Sequence, residues 1–117
     1  MSGSPGCIFC RIVSGEIPAT KVYEDQHVTA FKDINPVAPV HILVIPNRHI
    51  ESLAHVDACD QELMGHLVCS LSRIAADQGL SERGYRVVVN CGEEGGQTVP
   101  HLHFHLLGRR QLNWPPG

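Results

Sequence analysis

The chain is predicted to fold as an α+β domain: a mainly antiparallel sheet of about five strands with one long and one short helix on one face. Three observations carry that prediction. Five short runs are rich in β-branched and aromatic residues. One 22-residue stretch repeats apolar residues at i, i+3 and i+4. The connections between most strand candidates are short and rich in turn residues, which favours hairpins over parallel crossovers.

Residues 1–6 are expected to be a flexible tail, and residues 7–117 a single domain that includes a C-terminal tail at 111–117. Cys7 to Ser14 forms a short helix, with Ile8, Phe9, Ile12 and Val13 as its apolar face. Gly15 and Pro18 end it. Lys21–Glu24 and Val28–Lys32 are strands about the turn Asp25-Gln26. Asn35 to Pro39 holds two prolines and is a loop. Val40–Ile45 is the strongest β segment, stopped by Pro46. The long helix runs from Asp57, its N-cap, to Gln78, with Gly79 as C-cap. Its buried stripe is Leu63, Met64, Leu67, Val68, Leu71, Ile74 and Ala75. Tyr85–Asn90 is a strand, Cys91–Pro100 a loop, and a histidine-bearing strand follows. The tail from Gln111 to Gly117, with its paired prolines, is not helical.

At 117 residues there is room for one core. No run approaches the roughly 20 apolar residues of a membrane span. The N-terminus lacks the basic-then-apolar pattern of a secretory signal. A cytoplasmic location is therefore expected. A net charge of −3 argues against a general nucleic-acid or membrane binder. Five cysteines are an odd number; Cys59, Cys69 and Cys91 are expected to be small buried hydrophobes.

The most informative motif is His101-Leu102-His103-Phe104-His105-Leu106-Leu107. In a strand, alternate residues share a face, so three imidazoles would line one side about 6.5–7 Å apart. Leu102, Phe104 and Leu106 would enter the core. Imidazole serves as nucleophile, acid, base or metal ligand near neutral pH, so the row is read as a chemical site. Just upstream, Gly95-Gly96-Gln97-Thr98-Val99 permits close backbone approach and offers donors for an anion such as phosphate. Asp33 ends a strand, where a carboxylate can accept both hydroxyls of a ribose or simply form a turn, while Phe31 and Ile34 could sandwich a base. Cys7-x-x-Cys10 has the spacing of a zinc half-site, and equally of a redox pair or two core thiols. His49 and His101 are candidates to complete a Cys₂His₂ set.

Together these residues resemble the histidine-triad family, and within it the nucleotide-binding Hint branch. The similarity runs from Cys7 to Gly117. It includes the triad, Ala30-Phe31-Lys32-Asp33-Ile34-Asn35-Pro36, Pro39-Val40-His41-Ile42-Leu43-Val44-Ile45-Pro46, Gly95-Gly96-Gln97-Thr98 and the ending Trp114-Pro115-Pro116-Gly117. The resemblance implies a purine nucleoside phosphoramidase that hydrolyses the P–N bond of an AMP-amine. It makes His103 the transiently nucleotidylated nucleophile, with His105, His101, His41 and Thr98 in the catalytic set. His105 would bind the α-phosphate. Phe31, Asp33, Ile34, Asn90, Gly96, Gln97, Thr98, Val99 and Trp114 would contact the nucleotide (AMP or GMP). It also implies a homodimer whose sheets join, with Trp114 reaching toward the partner's site. No cofactor is required for that chemistry. Zinc-bearing relatives imply a structural zinc on Cys7, Cys10, His49 and His101. Gly108-Arg109-Arg110 departs from the commoner Gly-Gly-Arg.

Triad proteins share a fold across several reactions. A dinucleoside-polyphosphate hydrolase and a nucleotide-binding regulatory dimer are the alternative readings. A zinc-storage or redox protein built on Cys7 and Cys10 would leave the glycine loop and Asp33 unexplained.

Overall fold

The computed structural model describes residues 4–117. The expectation for the tail at residues 1–3 lies outside the described residues. Residues 4–6 form a turn closed by the Cys7 N–H on the Ser4 carbonyl.

One five-stranded sheet is built from β1 (Lys21–Glu24), β2 (Val28–Lys32), β3 (Val40–Pro46), β4 (Tyr85–Val89) and β5 (Phe104–Gly108). Its order is β1-β2-β3-β5-β4, antiparallel throughout. Helix α1 covers Ile8–Val13 and α2 covers Gln61–Asp77. The fold class is the expected one, but the helices do not share a face. Helix α2 lays Leu67, Leu71, Ile74 and Ala75 on Val28, Ala30, Ile42, Val44 and Leu106. Helix α1 packs Phe9, Cys10 and Ile12 on the opposite face, against Phe31, Leu43 and Ile45. The central strand β3 is buried along its whole length because both faces are covered.

The α2 boundary also differs. Asp57 caps a 3₁₀ turn, Ala58–Asp60, through a reciprocal capping box with Asp60; the α-helix begins only at Gln61. At its other end the N–H of Gly79 reaches the Ala76 carbonyl, and that of Leu80 the Ala75 carbonyl. That reciprocal pattern requires the left-handed backbone Gly79 adopts, φ +75°. Within α2, Val68 is exposed instead of buried, and Ser70 is buried in its place. The Ser70 hydroxyl donates to the His66 carbonyl, which satisfies it locally. Cys59 and Cys69 are exposed and Cys91 half-buried, contrary to the expectation for all three.

Candidate active site

The histidine strand is shorter than its pattern suggests. Strand β5 starts at Phe104, so only His105 lies within it; His101 and His103 sit on the segment leading in. Leu102, Phe104 and Leu106 do enter the α2-side core as expected. The imidazoles face α1, and they are neither exposed nor equivalent.

His103 is buried, and its Nδ1 lies 2.7 Å from the His101 carbonyl oxygen. A carbonyl only accepts, so Nδ1 carries the proton and the neutral ring keeps its lone pair on Nε2. The Phe9 ring meets His103 edge-to-face with centroids 5.1 Å apart, and meets His101 and Phe31 similarly at 5.9 and 5.5 Å. Phe9 is the residue the sequence reading missed as part of the site. Its helical periodicity marked it as apolar but could not say which histidine it would touch.

His41 and His105 form a directional relay. The Val37 N–H donates to His41 Nδ1 at 3.1 Å, so the His41 proton sits on Nε2. That Nε2 lies 2.9 Å from His105 Nδ1 and 3.4 Å from an Asp33 carboxylate oxygen. His105 Nδ1 therefore accepts, and its own proton sits on Nε2. His105 Nε2 is buried with no hydrogen-bond partner among the described residues. Burial, with like-charge repulsion from His103 and His41, pushes the His105 pKa down to about 4. Burial likewise lowers that of His41, against the opposing pull of Asp33. The relay is thus neutral at pH 7 and ends in an unpaired N–H donor. His103 and His105 ring centroids are 5.1 Å apart. A lone pair and a donor side by side suit attack on phosphorus with stabilisation of a phosphoryl oxygen.

His101 is placed elsewhere. It is fully buried, and its Nε2 donates to the Pro46 carbonyl at 2.9 Å. Its Nδ1 lies 3.3 Å from Cys7 Sγ, 3.5 Å from Cys10 Sγ and 3.2 Å from His49 Nδ1. Cys10 Sγ is 3.3 Å from His49 Nδ1. Zinc–nitrogen and zinc–sulfur bonds of about 2.0 and 2.3 Å on a tetrahedron give edges of about 3.3 to 3.8 Å. Four of the six edges therefore match that geometry within a few tenths of an ångström, and all four donor atoms lie within 4.8 Å of one another. The Pro46 carbonyl fixes the His101 tautomer that leaves Nδ1 free to ligate. The Cys10 N–H reaches Cys7 Sγ at 3.4 Å, the kind of outer hydrogen bond a thiolate ligand takes. This donor set fits a structural zinc. Both ring nitrogens of His101 are committed, so it is not placed to trade protons with His103.

Other candidate residues divide into engaged and free. Asp33 accepts the Asn35 N–H at 2.8 Å beside its contact to His41. Phe31 is packed against Phe9, whereas Ile34 stands 90% exposed beyond it. In the glycine loop, the Gly96 N–H goes to the Glu93 carbonyl and the Gln97 N–H to that of Gly92. The Gln97 carboxamide bonds the backbone of Glu51, Val99 and Gly92. Gly95 is needed because a Cβ there would lie 2.3 Å from the Cys91 carbonyl oxygen. The loop's N–H groups without protein partners, among the described residues, include those of Thr98 and Val99, together with the Thr98 hydroxyl. Val99 packs on the same cluster as Phe9 and Phe31. Asn90 follows β4 and is half-buried, and Trp114 is exposed on the tail. Arg109 turns away from the triad, donating to the Gln78 carbonyl at the end of α2.

Comparison with known proteins agrees with this geometry. The HIT domain model matches residues 14–112. A HIT-like protein of Synechococcus elongatus is 55% identical over 97% of this chain and 99% of its own. The crystal structure of a HIT family hydrolase from Legionella pneumophila superposes with a TM-score of 0.94 at 50% identity, covering 96% of this chain and 100% of the other. A histidine triad nucleotide-binding protein from Candida albicans gives a TM-score of 0.84 at 31% identity, covering 94% and 83%. With its buried, tautomer-fixed histidines on the face that α1 covers, this chain belongs to the HIT family.

Proposed function

We propose that the protein is a purine nucleoside phosphoramidase that cleaves an AMP-amine to AMP and the free amine. The observation that carries this reading is the paired state of two histidines: a lone pair held on His103 Nε2 and an unpartnered N–H on His105 Nε2. His103 Nε2 attacks phosphorus, the P–N bond to the amine breaks, and the amine leaves with a proton taken from solvent, which the attacking water gives back in the second step. His105 Nε2–H and the Thr98 and Val99 N–H groups bind phosphoryl oxygens. Water then attacks the His103 adduct, the P–N bond to imidazole breaks, and AMP departs. Asp33 accepts the ribose hydroxyls, Ile34 and Phe31 cover the base, and Asn90 contacts the sugar or phosphate. The naming of the Legionella neighbour as a hydrolase and of the Candida neighbour as nucleotide-binding supports the reaction class and ligand.

Cys7, Cys10, His49 and His101 would hold a structural zinc, whose closed four-ligand set supplies a cross-link between α1, the end of β3 and the segment before β5. That cross-link seats Phe9 on His103. A homodimer is proposed at the β4 edge, where Tyr85 and Val87, each 40% exposed, offer apolar surface to a second copy. Trp114 would then reach the partner's site. No described helix is long and apolar enough to cross a membrane; the cysteine-rich, disulfide-free site is proposed to work in a reducing cytoplasm.

The test is AMP release from an adenosine 5′-phosphoramidate by the protein and by His103→Ala. The proposal expects turnover that the substitution abolishes. Faster turnover of a dinucleoside polyphosphate would instead make it a polyphosphate hydrolase. AMP binding without turnover would make it a nucleotide-binding module.

A further inference from the structure

We infer that Phe9 is a positioning residue that holds the His103 ring for attack, and that the cysteine–histidine cluster acts on turnover through it. This role rests on His103 being the nucleophile of the proposed reaction. The order of residues prepares it. In Cys7-Ile8-Phe9-Cys10 a phenylalanine lies between two cysteines. The helix α1 that follows Cys7 has six residues, too few to be stable as a helix on its own. Its place is set by what its side chains meet. Ile8 is exposed, whereas Cys7, Phe9 and Cys10 are buried. The Cys7 and Cys10 sulfurs lie 3.3 and 3.5 Å from His101 Nδ1, and Cys10 Sγ lies 3.3 Å from His49 Nδ1. Phe9 is therefore carried between two anchored residues.

His103 needs such a support. Among the described residues its one side-chain hydrogen bond runs from Nδ1–H to the His101 carbonyl at 2.7 Å. That bond fixes the tautomer and anchors one edge of the ring. It leaves the ring able to swing about the anchored edge, which moves Nε2, the attacking atom. Packing has to remove that swing. His105 touches His103 with centroids 5.1 Å apart, and Phe9 touches it at 5.1 Å with the rings nearly perpendicular, at 83°. Phe9 is held in turn by Phe31 at 5.5 Å and by His101 at 5.9 Å. Edge-to-face contact is a preferred geometry of aromatic rings, so these contacts resist sliding. Phe9 has no polar atom. It limits where His103 sits without changing which nitrogen holds the proton.

The same ring touches His101 of the cluster and the nucleophile, so loosening of α1 reaches His103 Nε2 directly. A misplacement of about 1 Å at a reacting atom costs up to about 100-fold in rate. Loss of a cluster donor should therefore lower kcat, although both ring nitrogens of His101 are engaged away from the substrate. Asp33 and Thr98, the polar contacts proposed for the nucleotide, are not on α1, so KM should move less than kcat.

The experiment compares the parent with Phe9→Leu, Cys10→Ser and the double variant, each expressed with zinc and assayed well below its melting temperature. Turnover of an adenosine 5′-phosphoramidate gives kcat and KM. NMR relaxation of the His103 ring C–H groups gives an order parameter that needs no turnover. In Phe9→Leu, kcat should fall about 10- to 100-fold, with KM changed less than about threefold and the zinc content of the parent retained. The His103 order parameter should fall in both single variants. The kcat losses should not multiply in the double variant, because both changes break one chain of contacts. Unchanged kcat or an unchanged order parameter in Phe9→Leu, a rise in KM alone, or losses that multiply would overturn the role. If the parent itself does not turn the substrate over, the phosphoramidase reading fails and the order parameters still decide. A His103 ring as rigid in Phe9→Leu as in the parent then overturns the positioning, and a more mobile one upholds it.

Discussion

His101 and His105 lie four residues apart in one motif, yet they are wired in opposite ways. His101 has both ring nitrogens engaged, Nε2 by the Pro46 carbonyl and Nδ1 in the cluster with Cys7, Cys10 and His49. His105 has Nδ1 engaged by His41 and Nε2 buried with no partner. The first arrangement is closed and suits holding the fold together; the second has one open end and suits meeting a ligand. The same residue type in the same pattern thus serves two ends, and the second nitrogen's partner decides which. His103 joins them, since the His101 backbone carbonyl sets its tautomer.

Breaking the closed half should have the largest effect on folding. Cys10→Ser removes one of four converging donors. In protein expressed with zinc, the metal content should fall and the melting temperature drop by several degrees or more, because metal-binding free energy is folding free energy. Unchanged zinc content and stability would show that the cluster is only a set of core thiols. Breaking the open half should leave stability nearly intact and cut turnover. His105→Gln should lower kcat on an adenosine phosphoramidate by about 10²-fold, the typical cost of one oxyanion donor. A larger change in KM than in kcat would make His105 a ground-state binder.

Acid sharpens the contrast. Burial pushes the His105 pKa down to about 4 in the fold, against an ordinary 6.5. Between those values the unfolded chain binds more protons than the folded one, so stability rises with pH there. Stability should be full above about pH 6.5 and fall as the pH drops toward 4. Urea midpoints at pH 7.5, 6 and 5 check this, and His105→Gln should flatten part of the slope. A flat parent profile would contradict the buried neutral relay. The smallest effect belongs to Asp33, whose carboxylate faces both His41 and the proposed ribose. Asp33→Asn should cost about 10-fold in kcat/KM on a ribonucleotide. It should cost little on the 2′-deoxy analogue, which lacks one hydroxyl already.

Much of this contrast was legible in the sequence. The five strands, the two helices and the inward course of Leu102, Phe104 and Leu106 follow from alternation and helical period. The triad, Asp33 and the Cys7-x-x-Cys10 pair stand out by residue type and spacing. What was not legible depends on tertiary placement. Helix α1 is short enough that its own pattern marks Phe9 as apolar but does not say which sheet face the helix covers or which histidine Phe9 meets. Periodicity at 100° per residue leaves the stripe edge ambiguous, which is why Val68 and Ser70 exchange roles in α2. The glycine loop announced free backbone donors, but its own turn consumes those of Gly96 and Gln97.

The account rests centrally on His103 as the atom that takes the nucleotide. Rapid quenching of the protein mixed with an adenosine 5′-phosphoramidate, followed by peptide mapping, tests it most directly. The expected result is a transient AMP adduct on the peptide bearing His103, localised to that residue and absent from His103→Ala. An adduct on His105 or His101, or AMP release with no adduct and undiminished rate in His103→Ala, would contradict it.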